Sequence, residues 1–147
     1  MLVSRTKEGA LSIKVFDHTL DALSKSLDLR SQKQTIISSN IANAETPGYQ
    51  AKTMDFEGEL ANALELGDTV LERTNEQHMN AGGKIDEVKG EIYNQINNVV
   101  REDGNTVDRD AEMVSLAENQ IMYSAAADLL KKKLALLKYA ISDGGGH

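Results

Sequence analysis

Three histidines, His18, His78 and His147, are the only imidazoles in the chain, and none has a second His or a Glu at the spacing a metal enzyme uses. His18 stands beside Asp17 at a helix start and reads as a solvated polar residue, and His147 closes a Gly144-Gly145-Gly146 tail. Gly82-Gly83-Lys84 lacks the spacer and the trailing Ser/Thr of a phosphate loop and reads as a turn. The carboxylate pairs Glu57/Glu59 and Asp86/Glu87 have no neighbouring base and no apolar pocket to split their pKa values, so a solvated surface is expected for them. With no cysteine there is no disulfide framework, thiolate metal site or Cys nucleophile. No catalysis, metal or cofactor is expected; a small metal-dependent hydrolase using His18 or His78 is the enzyme alternative.

One polar segment carries more specification than a solvated loop needs. Ser38-Ser39-Asn40-Ile41-Ala42-Asn43-Ala44-Glu45-Thr46-Pro47-Gly48-Tyr49 places two Asn residues three apart ahead of a Thr-Pro-Gly-Tyr turn. Asn side chains satisfy terminal backbone groups, Pro47-Gly48 favours a type II turn, and Tyr49 can fold back onto the helix that precedes it. Such chemistry is positional rather than catalytic, and it requires long elements on either side of the turn.

Those elements are written in the heptad pattern. Phe16, Leu20, Leu23, Leu27, Arg30, Gln34, Ile37, Ile41 and Ala44 are spaced 4-3-4-3-4-3-4-3, and Met113, Leu116, Gln120, Tyr123, Ala127, Leu130, Leu134, Leu137 and Ile141 are spaced 3-4-3-4-3-4-3-4. Helices of that length paired along an apolar seam form a coiled coil. Asp108 is the expected N-cap of the second helix, with Asp110 and Glu112 in its first turn. Pro47 stops the first helix by Thr46.

The 147 residues suit one domain. Aromatics are only 4%, with no Trp, so Ala, Leu and Ile must carry the burial. The net charge of −7 is concentrated in residues 45–107, which hold thirteen Asp/Glu against five Lys/Arg. A chain so charged repels nucleic acid and anionic lipid, and Lys131, Lys132 and Lys133 read as a solvated face. No run approaches the length of a membrane span, and no secretory signal pattern opens the chain, so no direct lipid insertion is expected. The expected fold is mainly α: a flexible segment over 1–15, an N-terminal coiled-coil helix over 16–45, an acidic irregular middle over 46–107, a C-terminal coiled-coil helix over 108–142 antiparallel to the first, and a disordered tail over 143–147. A short helix is expected in the middle, with Phe56, Leu60, Ala63 and Leu64 on one side, and extended pieces at 69–74 and between Ile92 and Val100.

Asn40-Ile41-Ala42-Asn43-Ala44-Glu45-Thr46-Pro47-Gly48-Tyr49 closely resembles the N-terminal signature of the bacterial flagellar rod and hook axial proteins. Asp103-Gly104-Asn105-Thr106-Val107-Asp108-Arg109-Asp110-Ala111-Glu112-Met113 resembles the C-terminal signature of the proximal-rod branch of that family. Its relatives usually carry an Asn-Val pattern where this chain has Asn105-Thr106-Val107-Asp108. The resemblance covers residues from about 12 to 66 and 100 to 141, and nothing is carried over onto 67–99.

The resemblance implies a structural subunit of the flagellar basal body, in the rod that spans the periplasm. It implies export by the flagellar type III apparatus without a cleaved signal, followed by polymerisation through packed N- and C-terminal helices. The implied partners are other rod subunits, basal-body components and the export apparatus. The alternative of a soluble coiled-coil adaptor or export chaperone stays open on the residues alone.

In the seam so read, Leu20, Leu23, Leu27, Ile37 and Ile41 face Leu116, Tyr123, Leu130, Leu134, Leu137 and Ile141. Arg30, Gln34 and Gln120 are its polar breaks, with Gln34 near Gln120. Ile36, Ile121, Met122 and Leu129 lie outside the heptads and are expected to be exposed in the free chain.

Overall fold

The computed structural model describes residues 5–68, 85–95 and 100–143, and the side chains of 18–64, 85–95 and 100–142. In chain order the elements are α1 (Arg5–Ala42), β1 (Lys52–Asp55), α2 (Glu57–Asp68), a single 3₁₀ turn (Ile85–Glu87), β2 (Glu91–Asn94) and α3 (Arg109–Asp143). His78, Gly82-Gly83-Lys84, His147, the extended piece at 69–74, residues 96–99 of the second extended piece, and the side chain of Phe16 lie outside the described residues.

α1 has 38 residues and α3 has 35. α1 begins at Arg5, ahead of the start at 16 expected for the first helix. Its sequence from Arg5 to Ala42 holds no Pro and a single Gly, Gly9, which costs about 1 kcal/mol relative to Ala, a loss that a long helix absorbs. α3 takes in Asp143, one residue beyond the end expected for it at 142.

The two long helices pack side by side. Asn119 Nδ2 donates to the Arg30 carbonyl and to Gln34 Oε1, both at 2.9 Å, and earlier in the chain Asn105 reaches the end of α1 at Asn43. Rising numbers on α3 therefore meet falling numbers on α1, and the helices are antiparallel. Gln34 meets Asn119 rather than Gln120, which is exposed.

That one-residue offset corrects the seam. The buried line on α3 is Glu112, Asn119 and Ala126, joined by half-buried Leu116, Leu130 and Leu137. Four expected seam residues are exposed: Met113 at 56%, Tyr123 at 38%, Leu134 at 51% and Ile141 at 76%. On α1 Ile37 is buried, whereas Leu20, Leu23, Leu27 and Ile41 are half-buried. The physical reason is that α1 has neighbours on two sides, so its buried residues do not form a single stripe.

The larger apolar core lies on the second side. Ala22 and Leu29 of α1 close over Met54, Phe56, Leu60, Ala63, Ile85 and Val88, with Ile36 and Leu64 at the edge. The acidic middle is thus the platform on which α1 rests, and Ile36, expected to be exposed, packs against it. α2 forms as its apolar spacing requires. Lys25 Nζ donates to the Asp86 carbonyl at 3.1 Å and ties α1 to the 3₁₀ turn. β1 and β2 pair antiparallel, with Met54 opposite Ile92. Gly90 is required beside this pair because a Cβ there would overlap the buried Met54 side chain.

Candidate functional site

Where α1 ends and α3 begins, the two polar motifs are tied into one clasp. Asn105 is at its centre and fully buried. Its Nδ2 donates to the carbonyls of Asn43 (2.9 Å), Ala44 (3.2 Å) and Thr46 (2.8 Å). Its Oδ1 accepts the Val107 amide at 2.7 Å. The last carbonyls of a helix have no partner within it, and a side-chain amide from the second motif supplies one for those that follow α1.

Asn40, also fully buried, does the same for β1. Its Oδ1 accepts the Lys52 amide at 3.0 Å while its Nδ2 donates to the Lys52 carbonyl at 2.6 Å. The Asn40 amide therefore takes the place of a neighbouring strand on the outer edge of β1, an edge that would otherwise be open to another chain. Tyr49 donates its hydroxyl to Asn40 Oδ1 at 3.3 Å and lies 3.3 Å from Ser39 Oγ.

Thr46 to Tyr49 forms the turn between them. The Tyr49 amide donates to the Thr46 carbonyl at 3.2 Å, and Gly48 has φ +72°, as the third position of a type II turn requires. Gly104, with φ +79°, comes close to Gly48 across the clasp, and the Gly48 amide donates to the Asp103 carbonyl at 2.9 Å. Thr106 reaches across as well: its amide donates to the Tyr49 carbonyl at 3.1 Å and its Oγ1 accepts the Ala51 amide at 2.9 Å. Ala44, Ala51 and Val107 fill the interior, with Tyr49 packed against them.

Asp108 then starts α3, its Oδ1 accepting the amides of Asp110 and Ala111, both at 3.1 Å. Ile41 is half-buried and Ala42 exposed at the end of α1, and Pro47 is exposed, so of the first motif it is Asn40, Asn43, Thr46, Gly48 and Tyr49 that make the bonds. Of the second motif, Met113 points to solvent and Glu112 is buried. Arg101, which spacing did not single out, donates from Nη1 to the Ala44 carbonyl at 2.9 Å; a lone Arg ahead of an Asp-Gly turn carries no signal of that role.

Two carboxylates are perturbed in opposite senses. Burial pushes Glu112 above the usual carboxylate range, Asp108 adds to that, and a hydrogen bond from Asn40 only partly offsets it. Burial also raises Glu57, but the hydrogen bond and charge of Lys33, with the Glu57 and Phe56 amides, outweigh it and leave the group below its ordinary value. Glu57 is therefore an ion-pair partner, 3.1 Å from Lys33 Nζ and 3.8 Å from Arg30 Nη1, not the solvated acid expected.

The signs fix the pH response. Glu57, with its folded pKa depressed, gives stability that is present above the unfolded pKa and lost as the pH falls through the folded one. Glu112, raised, is favourable in its protonated form and loses that contribution as the pH rises through its folded pKa. Glu112→Gln is accordingly more stable than wild type at pH 7 and Glu57→Gln less stable, and both gaps shrink in acid. Denaturant midpoints between pH 4 and 8 check this.

Among the described residues no three His, Cys, Asp or Glu side chains gather as a metal site, and no helix is long and apolar enough to cross a membrane.

A family model described as flagella basal body rod protein matches residues 20–50, from within α1 through the turn. The chain is 32% identical over 133 residues to the flagellar basal body rod protein FlgB of Escherichia coli strain K12, covering 87% of this chain and 96% of that one. It is 33% identical over 133 residues to the FlgB protein of Salmonella typhimurium, with the same coverage of 87% and 96%. To that of Cereibacter sphaeroides it is 36% identical over 126 residues, covering 86% and 95%.

Proposed function

The chain belongs to the FlgB family of flagellar basal body rod proteins and is a structural subunit of the rod, and on that premise we propose how its geometry serves assembly. The clasp sets the angle at which α1 and α3 leave their common end. The subunit then presents α3 as a rod-building helix in the proximal rod, after type III export, with α1 and α3 of neighbouring copies packed as coiled coils.

The observation that carries this reading is the outer face of α3. Val114, Ile121, Met122, Leu129, Leu136 and Tyr139 are each more than half exposed on a helix whose inner face is already packed. Apolar surface on this scale is rarely left bare in a monomer, and covering it yields about 25 cal/mol per Å². The inner seam is thin, since Ala126 is the one buried apolar residue of α3. Packing against neighbouring subunits therefore supplies burial that the free chain lacks, and the end of α3 beyond Leu136 orders fully only in the rod.

Expression of Ile121→Asp/Leu129→Asp in a strain lacking the protein tests the reading. The variant is expected to be made and to keep its helix content, yet to be absent from purified basal bodies, where the wild-type chain is retained. Retention of the variant at wild-type levels would contradict it, and a fixed cytosolic complex of the wild-type chain with one other protein would favour the adaptor alternative.

A further inference from the structure

The exposed face of α3 has an internal symmetry that rod packing does not require. Val114, Glu118, Ile121, Ala125, Leu129, Lys132 and Leu136 are spaced 4-3-4-4-3-4, all are exposed, and they fall on one face of the helix. That face is turned about a third of a turn from the buried line of Glu112, Asn119 and Ala126. Read outward from Ala125, the types mirror one another: Ile121 with Leu129, Glu118 with Lys132, and Val114 with Leu136. Neither Glu118 nor Lys132 has an ion-pair partner among the described residues.

We infer that a second copy of this chain docks on this face in solution, in an antiparallel two-fold contact centred on Ala125. In that arrangement Glu118 meets the partner's Lys132, Lys132 meets the partner's Glu118, Ile121 packs on the partner's Leu129, and Val114 on the partner's Leu136. Ala125 meets the partner's Ala125, and its small side chain lets the two helix axes approach there. A parallel copy in register would set Glu118 against the partner's Glu118 and Lys132 against the partner's Lys132, which is repulsive. A parallel copy shifted by about 14 residues, or about 21 Å, satisfies one charge pair and leaves half the stripe bare. An unrelated helix would need its own acid and base at the mirrored spacing, whereas a second copy carries both.

A two-fold contact closes on itself and cannot propagate. Subunits of a rod share one polarity, so on the rod reading this pair is a state outside the rod that covers the same apolar stripe and must come apart for assembly. Its size suits that use: seven side chains from each copy, along a helix length of about 33 Å, make a contact at or below about 1,200 Å², the range of transient complexes.

Sedimentation of the purified full-length chain over the micromolar range tests the inference, with Glu118→Lys, Lys132→Glu and the double variant alongside. By symmetry each single substitution places two like-charge pairs in the contact, so each is expected to weaken dimerisation roughly tenfold, and the double variant, which swaps both charges, to recover it. Because the chain has no cysteine, oxidation of Ala125→Cys is expected to link two copies through the two-fold axis, while Val114→Cys and the off-face Gln120→Cys do not link to themselves. A wild-type chain that stays monomeric, a double variant no better than the singles, or self-linking of Val114→Cys as efficient as that of Ala125→Cys would overturn it. None of these readouts involves basal bodies, so a monomeric chain that still enters the rod would remove the dimer and leave the rod reading intact.

Discussion

Asn105→Ala unfolds at markedly lower denaturant than the wild-type chain, with a loss of about 3–4 kcal/mol, because its amide serves four backbone groups at once. The Asn43, Ala44 and Thr46 carbonyls each lose one of two donors, keeping the Thr46 amide, Arg101 Nη1 and the Tyr49 amide respectively, and the Val107 amide loses its acceptor. The buried Val107 amide left unpaired costs about 1–3 kcal/mol, and each hydrogen bond lost to a carbonyl that keeps another donor adds about 0.5–1.5 kcal/mol, before water or relaxation recovers part of it. Asn105→Asp separates this from mere loss of volume: the shape is kept, but an oxygen replaces the nitrogen that faces three carbonyl oxygens, so it is expected to be at least as damaging as Ala. Equilibrium denaturation with circular dichroism checks both. Wild-type stability in either variant would mean that the clasp does not hold the two helices together.

Phe56→Ala is the second large loss, about 3–5 kcal/mol by the usual cost of deleting a buried aromatic ring. Phe56 is almost fully buried between α1 and α2, and its ring also carries Arg30 and Lys33, whose charges lie 5.4 Å and 5.5 Å from its centre. The same two cations hold Glu57 at the start of α2. Phe56→Leu keeps most of the apolar contact and loses the ring face, so its expected cost is nearer 1–2 kcal/mol. A denaturation series on the two variants gives the ring's share as their difference. Equal and small losses would place the core elsewhere than between α1 and the middle segment.

What could be read from the residues divides along physical lines. The ends and caps of the long helices were legible because they rest on local chemistry: Asp108 accepts the first amides of α3, and Gly48 supplies the positive φ that the Thr46–Tyr49 turn requires. That two motifs about sixty residues apart would meet at Asn105 was not legible from spacing, since an Asn that serves three distant carbonyls looks no different from one in a loop. The helix register misled for a related reason. A search for apolar residues at heptad spacing passes over Glu112 and Asn119, which are buried because each has a polar partner on α1, and it gathers Leu134 and Ile141, which belong to a side of α3 that the free subunit leaves open. The role of the acidic middle was hidden by its charge. Met54, Phe56, Leu60, Ile85 and Val88 are scattered among carboxylates, and only the tertiary fold collects them beneath α1.

Amide hydrogen exchange on the free full-length protein tests the central claim, that the clasp is the organising point from which both helices extend. Opening free energies rise with local packing and backbone pairing, so the amides of Gly48, Ala51 and Thr106, bonded across the clasp, and of Lys52 and Val107, bonded to its two buried Asn side chains, are expected to be among the slowest to exchange. Protection along α3 is expected to fall from Ala126 toward Ile141. Fast exchange at those five amides, with α1 and α3 protected to their far ends, would show a hairpin that stands without the clasp and would contradict the account.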